Sequence, residues 1–325
     1  MNLISIIVSG GLNTDIIVTG IKKFPSAGEH VYGKELTFGP GGKSRNIANM
    51  SAVLMGRDRV AMIGKTVKDQ YGLWKIPIEP LEKAGVNIEF VQILEFEKVK
   101  KLPAFAIIPV DISGNNMIYV LPGISDDFST TDIDLADQLF IHAKNNKGIF
   151  ISSLEIPLGT AVYAFKKANK YGLKIVLDPG GIQKGMNIDS LFENEIYLIK
   201  PNEHEAKLLT GINVTDFSSA KEAALCLFSK KVKNVFITCG KQGAYLFTNK
   251  KEIHIPIPIF DNFHIQDETG CGDQTTAAFC TFLQEGKNIE EAAHLAIIAG
   301  TLQFQRIGIQ PVKKDEILKI YESQN

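Results

Sequence analysis

The sequence predicts an α/β fold: a mostly parallel sheet covered by helices on both faces. Three observations carry this. Short β-branched runs alternate with longer amphipathic segments along most of the chain, as in strand–helix–strand units with right-handed crossovers. The strand candidates are apolar throughout rather than alternating, as strands buried on both faces are. Connections are short, and repeats, low-complexity tracts and long linkers are absent from the sequence. That favours one compact body over two tethered domains.

Composition narrows the function classes. Of 325 residues, 45% are hydrophobic, ample for a large core. Lys plus Arg number 35 and Asp plus Glu 36, so no broad positive field exists to hold nucleic acid or an anionic membrane. No apolar stretch approaches the roughly 18 residues of a membrane helix. The opening MNLISIIVSGG has no basic segment before its apolar run, and reads as a first strand rather than a signal peptide. Cys226, Cys239, Cys271 and Cys280 form no CxxC pair and match no zinc module or disulfide framework. A reducing, cytoplasmic setting is therefore expected.

Taken in order, the first strand is Ile4–Val8. Residues 13–38 hold strand-like Ile16–Val18 and His30–Phe38 around the turn PSAGE, a β-hairpin. Ser44–Met55 places Ile47, Met50 and Leu54 on one helical face. Val60–Ile63 is the next strand. In GLWKIPIEPLEKAG the spacing is helical, but Pro77 and Pro80 would break or kink a helix. Residues 90–121 contain LPAFAIIPV and MIYVL around DISGNN, a second hairpin. Neither hairpin is expected to lead into a helix. They form a small sheet standing off the body as a lid, or else two edge hairpins without a role. Strands Gly148–Ile151, Lys174–Leu177, Ile196–Ile199 and Asn234–Thr238 follow. They are interleaved with helices Gly159–Tyr171, Ser218–Lys230, Gly272–Gln284 and Ile289–Phe304. Residues 1–12, 39–89 and 123–325 would then form the large domain, and 13–38 with 90–122 the lid.

Three glycine-rich sites invite a phosphate-loop reading, and two fail at once. GKT at Gly64–Thr66 has Arg59 where the leading glycine belongs, and GGKS at Gly41–Ser44 has Thr37 there. GCGDQT at Gly270–Thr275 lacks the first-strand context of a dinucleotide fingerprint. It nevertheless sits in the most informative segment, DETGCGDQTTAAFCTFL. There two glycines let the backbone turn tightly, and Asp273 opens a helix whose free N–H groups make a ready anion site. Phosphoryl transfer needs a donor cradle, charge neutralisation and a base on the attacking hydroxyl. Asp273 is placed for the last role, though helix capping alone would also explain an aspartate there. In GPGGKSRNIANM, Lys43 and Asn46 lie on a first helical turn, either binding a polyol or simply solvated. In GGLNTD, Asn13 and Asp15 follow the first strand, where α/β sheets bind ligands, although an Asx-rich turn reads the same way. In KPNEHEAKLL, Asn202 and Glu205 at i, i+3 offer the oxygen donors a hard divalent cation takes beside phosphates. HEAKL is not a zinc site, since Leu208 replaces the second histidine, and the other histidines form no cluster.

Together these segments resemble the ribokinase-like (PfkB) carbohydrate kinase family, in the right order over Gly10 to about Pro311. GGKSRN is similar to the family's GGKxxN, NEHE to its NxxE, TCGKQG at Thr238–Gly243 to its nucleotide-binding turn, and DETGCGD to its DTxGAGD signature. The resemblance implies a three-layer α/β/α fold with a β-sheet lid and an ATP-dependent kinase. It implies Asp273 as the base that deprotonates the acceptor hydroxyl. Gly270, Cys271 and Gly272 would form the anion hole, and Asn202 and Glu205 would organise Mg2+ and phosphates, partly through water. Thr238, Gly240 and Gly243 would border the nucleotide. Asn13, Asp15, Gly42, Lys43 and Asn46 would bind the substrate. Many members also use potassium beside the anion hole, for which Asp267, Thr269 and Gly308 are the matching positions. The lid often forms a homodimer contact. Within SSLEIP, Glu155 matches the position whose carboxylate holds the sugar in ribokinase-type members. With Lys43 it points to a free sugar, ribose first, and a nucleoside kinase or a non-catalytic sugar binder are the alternatives. Glu268 and Cys271 depart from the signature's usual small or hydroxylated residues. Arg45 is unusual within GGKxxN and is expected at the surface.

Overall fold

The computed structural model describes residues 3–260 and 267–324. Among them lie two sheets. The first half of the chain supplies strands β1 (Ile6–Ser9), β2 (Asn13–Ile21), β3 (Glu35–Gly41), β4 (Val60–Lys68), β5 (Val91–Glu95), β6 (Ala104–Asp111) and β7 (Tyr119–Leu121). The second half adds β8 (Ile149–Ser152), β9 (Lys174–Leu177), β10 (Leu198–Ile199), β11 (Val235–Thr238), β12 (Ala244–Phe247) and β13 (Glu252–Ile255). The helices are α1 (Lys43–Met55), α2 (Lys75–Ala84), α3 (Phe96–Val99), α4 (Thr130–Leu135), α5 (Asp137–Asn145) and α6 (Leu158–Lys170). After them come α7 (Glu203–Thr210), α8 (Phe217–Phe228), α9 (Cys271–Gln284), α10 (Ile289–Phe304) and α11 (Lys314–Ser323).

The large sheet runs β13-β12-β11-β10-β9-β8-β1-β4-β5. It is parallel from β5 to β11, and β12 and β13 close one edge antiparallel. Successive residues of each strand enter opposite cores. Ile7, Phe150 and Ile175 pack with Phe140 of α5 and Phe165 of α6. Ile6, Val8, Ile149 and Ile151 pack with Ile47 of α1, Phe279 of α9 and Leu295 of α10. Both faces being covered is why these runs are apolar at every position. The chain leaves β1 toward β4 on one side and reaches β8 on the other. That reversal of strand order opens a crevice at the carboxyl ends, where such sheets bind ligands.

The small sheet, β3-β2-β6-β7, contains the two expected hairpins joined by parallel β2–β6 pairing. Three expectations change. Val91–Glu95, assigned to the lid, pairs with the second half of the long β4, so β5 belongs to the large sheet. The first hairpin extends to Gly41, opposite Asn13, and runs straight into α1 through Gly42. Residues 75–84 do form a helix despite Pro77 and Pro80. Pro77 stands in the first turn, where its missing N–H would be unpaired anyway. Two carbonyls of this helix also take donors from α1: Arg45 Nε reaches Pro77 O at 3.0 Å, and Asn49 Nδ2 reaches Pro80 O at 2.8 Å. Among the described residues, no helix is long and apolar enough to cross a membrane.

Candidate active site

The site grows from the N-terminus of α9. Gly270 is its N-cap in the left-handed region, φ +76°, and a β-carbon there would stand 2.6 Å from Ile309 Cδ1. Asp273 occupies the first turn but does not cap the helix. Its Oδ2 instead accepts a 2.8 Å hydrogen bond from Asn46 Nδ2 on α1. The carboxylate therefore faces α1 and takes no part in capping its own helix. Burial pushes its pKa up, as does Asp178, while Lys43, the Asn46 hydrogen bond and Lys200 pull it back.

The start of α1 supplies the opposite wall. Gly42 takes φ +93°, and a β-carbon there would lie 2.7 Å from Gly11 O, so this tight entry needs glycine. The entry aims the Lys43 N–H at Glu155 Oε2, 2.7 Å away. Burial opposes the charge on Lys43, but Asp273, Asp178, Glu205 and Glu155 together raise its pKa and keep it protonated. Burial lifts Glu155 to about 7, against the pull of Lys43. Asp15 is also lifted to about 7 by burial and by Asp273, with Arg45 acting the other way. Asn13 and Asp15 lie on β2 opposite Gly41 and Gly39, so the start of the small sheet borders the same place.

A cleft of about 900 Å3 lies across this N-terminus. Ten of the expected site residues line it: Lys43, Asn202, Glu205, Thr238, Gly240, Gly243, Gly270, Cys271, Gly272 and Asp273. Asn202 and Glu205 share it for a reason different from helix-face spacing. They form a capping box at α7, with Asn202 Oδ1 accepting from Glu205 N at 2.8 Å and Glu205 Oε2 accepting from Asn202 N at 3.0 Å. Burial and Asp178 raise the pKa of Glu205. Asn202 also bridges to Thr238, which brings the turn at Gly240–Gln242 beside it. Asn13, Asp15, Gly42, Asn46 and Glu155 do not line this cleft. Glu155 and Asn46 adjoin it through the Lys43–Glu155 and Asn46–Asp273 hydrogen bonds, and Gly42 as the residue before Lys43.

Asp267, Thr269 and Gly308 also meet, behind the turn that opens α9. Asp267 Oδ1 accepts from Thr269 N and Oγ1 at 2.9 and 2.6 Å, and Oδ2 accepts from Gly308 N at 2.8 Å. The carbonyls of Thr269 and Gly308 both accept from Gln303 Nε2, at 3.2 and 2.7 Å. In this arrangement their oxygens are met by donors of the chain itself, which does not fit a bound cation. Among the described residues no cluster of three or more His, Cys, Asp or Glu offers a metal cage. Glu205 suits a divalent ion held mainly by phosphates and water.

Sequence reasoning missed a buried pair beneath the N-terminus of α9. Lys200 Nζ lies 3.2 Å from Asp178 Oδ2 and 3.4 Å from Gly272 O, and Thr276 Oγ1 donates to Asp178 Oδ2 at 2.8 Å. Lys200 and Lys43 hold Asp178 ionised below the ordinary carboxylate range in spite of burial. The available signal was position, since both residues follow the carboxyl ends of adjacent strands. Arg45, expected at the surface, is fully buried. Its Nη1 donates to Asn46 Oδ1 at 3.1 Å, and burial lowers its pKa to about 10. The helical face 47, 50, 54 gave no hint that position 45 also points inward, against α2. Burial and Asp267 raise the Cys271 thiol to about 12, which favours the thiol over the thiolate.

The model of the pfkB family carbohydrate kinases matches residues 5–315. The chain belongs to that family. It is 31% identical to ribokinase of Bacillus subtilis over 94% of each chain. It is 25% identical to deoxyribokinase of Salmonella typhi over 92% of each. The solved structure of Arabidopsis thaliana ribokinase with ribose and ATP superposes with a TM-score of 0.83 at 27% identity, covering 97% of this chain and 98% of that one. The chain is thus a phosphotransferase with an alcohol group as acceptor, on the expected three-layer fold.

Proposed function

We propose that this kinase transfers the γ-phosphoryl group of ATP to a hydroxyl of a free, ribose-like sugar, with Asp273 as general base. The carrying observation is the Asp273 carboxylate in the first turn of α9, turned toward Asn46 and lining one cleft with Lys43 and Gly270–Gly272. The sugar oxygen attacks the γ-phosphorus as its proton passes to Asp273, the bond to the bridging oxygen breaks, and ADP leaves. Gly270, Cys271 and Gly272 receive the developing charge through backbone N–H groups. Lys43 and Lys200 add positive charge from either side. The nucleotide lies against Thr238, Gly240 and Gly243. A magnesium ion, when bound, neutralises phosphate charge, with Asn202 and Glu205 on its protein side. Asn13, Asp15, Gly42, Lys43, Asn46 and Glu155 hold the sugar. A carboxylate at 155 would repel a phosphorylated sugar, which supports a free one; the names of the ribose-acting relatives support the pentose. A monovalent cation has no part in this reading. A homodimer through the small sheet, with that sheet closing as a lid, and a reducing cytoplasmic setting complete it.

The test is ADP release with ATP and Mg2+ over ribose, deoxyribose, fructose, adenosine, inosine, cytidine and fructose 6-phosphate. Ribose or deoxyribose is expected to be the best acceptor. Asp273→Asn is expected to lose roughly 10²–10⁴ in turnover while sugar binding changes less than about threefold. A nucleoside as best acceptor would move the substrate to the nucleoside class. Sugar binding without turnover of any acceptor would make the chain a binder.

A further inference from the structure

We infer that the side-chain amide of Gln303 takes the place of a monovalent cation behind the anion hole, so that turnover does not depend on potassium. Two backbone carbonyls, of Thr269 and Gly308, converge on one point. Convergent carbonyls are what a weakly hydrated cation takes as ligands. Here the point is Gln303 Nε2, at 3.2 and 2.7 Å. Both distances are those of ordinary N–H···O hydrogen bonds. The third group at this place, the Asp267 carboxylate, is likewise spent on the N–H and O–H of Thr269 and the N–H of Gly308.

The orientation of the amide has one solution. Turned over, Gln303 would set its Oε1 against two carbonyl oxygens. As placed, both protons of the NH2 have acceptors, and Oε1 is left buried without a partner. Gln303 is fully buried in the last turn of α10. An unanswered acceptor in such a place is unfavourable. It is retained because the nitrogen is needed where it stands.

That place bears on the chemistry. Nε2 lies 3.8 Å from where a β-carbon of Gly270 would be, directly behind the first residue of the anion hole. A cation there would answer inward-facing carbonyls and fix the turn 267–270 against the end of α10. The amide does both, since it is a double donor carried by α10 itself. It brings no net charge, and the positive charge facing the phosphates comes from Lys43 and Lys200 instead. Gln303 is thus a positioning residue, acting through Thr269 and Gly270.

The inference rests on the proposed anion hole, and its test is arranged to stand apart from it. Turnover of the best acceptor is measured in potassium, sodium and choline chloride at equal ionic strength, for wild type, Gln303→Ala and Gln303→Met. Wild type is expected to keep the same rate within about twofold in all three salts. Gln303→Ala, which opens the cradle, is expected to be about tenfold slower in choline and to regain about threefold or more in potassium. Gln303→Met fills the space without donors and is expected to be slow in every salt. A wild type that needs potassium overturns the inference, as does a Gln303→Ala enzyme as fast as wild type in choline. Melting temperatures in the three salts give a second readout, independent of turnover. If no acceptor is phosphorylated, the proposed function fails. A potassium-specific rise in the wild-type melting temperature would then still overturn the cation inference, and its absence would uphold it.

Discussion

Asp273 is 5% exposed, and its carboxyl is held above the ordinary range by burial and by Asp178, against Lys43, Asn46 and Lys200. A raised folded-state pKa keeps the group protonated to higher pH. The base is therefore lost on the acid side, and turnover climbs as pH rises through that value. Asn46→Ala removes one of the interactions favouring the ionised form. The acid limb of kcat/KM is expected to move upward by roughly half to one pH unit, and an unmoved limb would show that the 2.8 Å bond does not bear on the base. Glu155 and Asp15 are both lifted to about 7, so the Glu155→Gln and Asp15→Asn enzymes are the references that separate their ionisation from that of Asp273. At this scale the GGKxxN, NxxE and signature segments were legible as motifs, and residues of all three meet at one cleft. Arg45 was not, since nothing in GGKSRN says that α2 closes over it.

At the scale of elements, α7 shows how a motif serves two ends. The box that joins Asn202 and Glu205 satisfies the first turn and also fixes both side chains at the cleft wall. Asn202→Ala is expected to cost about 1 kcal/mol of stability, read as a drop of a few degrees in melting temperature. It should weaken ATP binding while sugar binding, set across the cleft at Glu155 and Lys43, stays unchanged; equal weakening of both would refute that division. Strand β9 and helix α10 fall where the pattern placed them, β9 as a short β-branched run and α10 as a long apolar helical period. Helix α2 was obscured by Pro77 and Pro80. Its carbonyls are answered by Arg45 and Asn49, partners more than 30 residues away that no local pattern reveals.

The whole molecule carries an exposed apolar face on the small sheet, with Phe38 at 49% and Tyr119 at 57% exposure beside Leu36, Ile107 and Leu121. Such a patch on a small sheet is suited to a second copy. Sedimentation is expected to give a dimer, and Phe38→Asp a monomer; a wild type that sediments as a monomer refutes the contact. The sequence by itself determined the fold class, the alternation of strands and helices, and the family with its reaction class, because periodicity and short motifs are local properties. Tertiary structure alone decided which neighbour each strand took, so that Val91–Glu95 joined β4 and not the small sheet. It also brought Asp178 and Lys200 under the N-terminus of α9, turned Arg45 inward, and set Gln303 against the carbonyls of Thr269 and Gly308. Each of these includes a contact between residues far apart in the chain, as Arg45 with Pro77 and Gln303 with Thr269, and its energy is settled only when the layers close and water leaves.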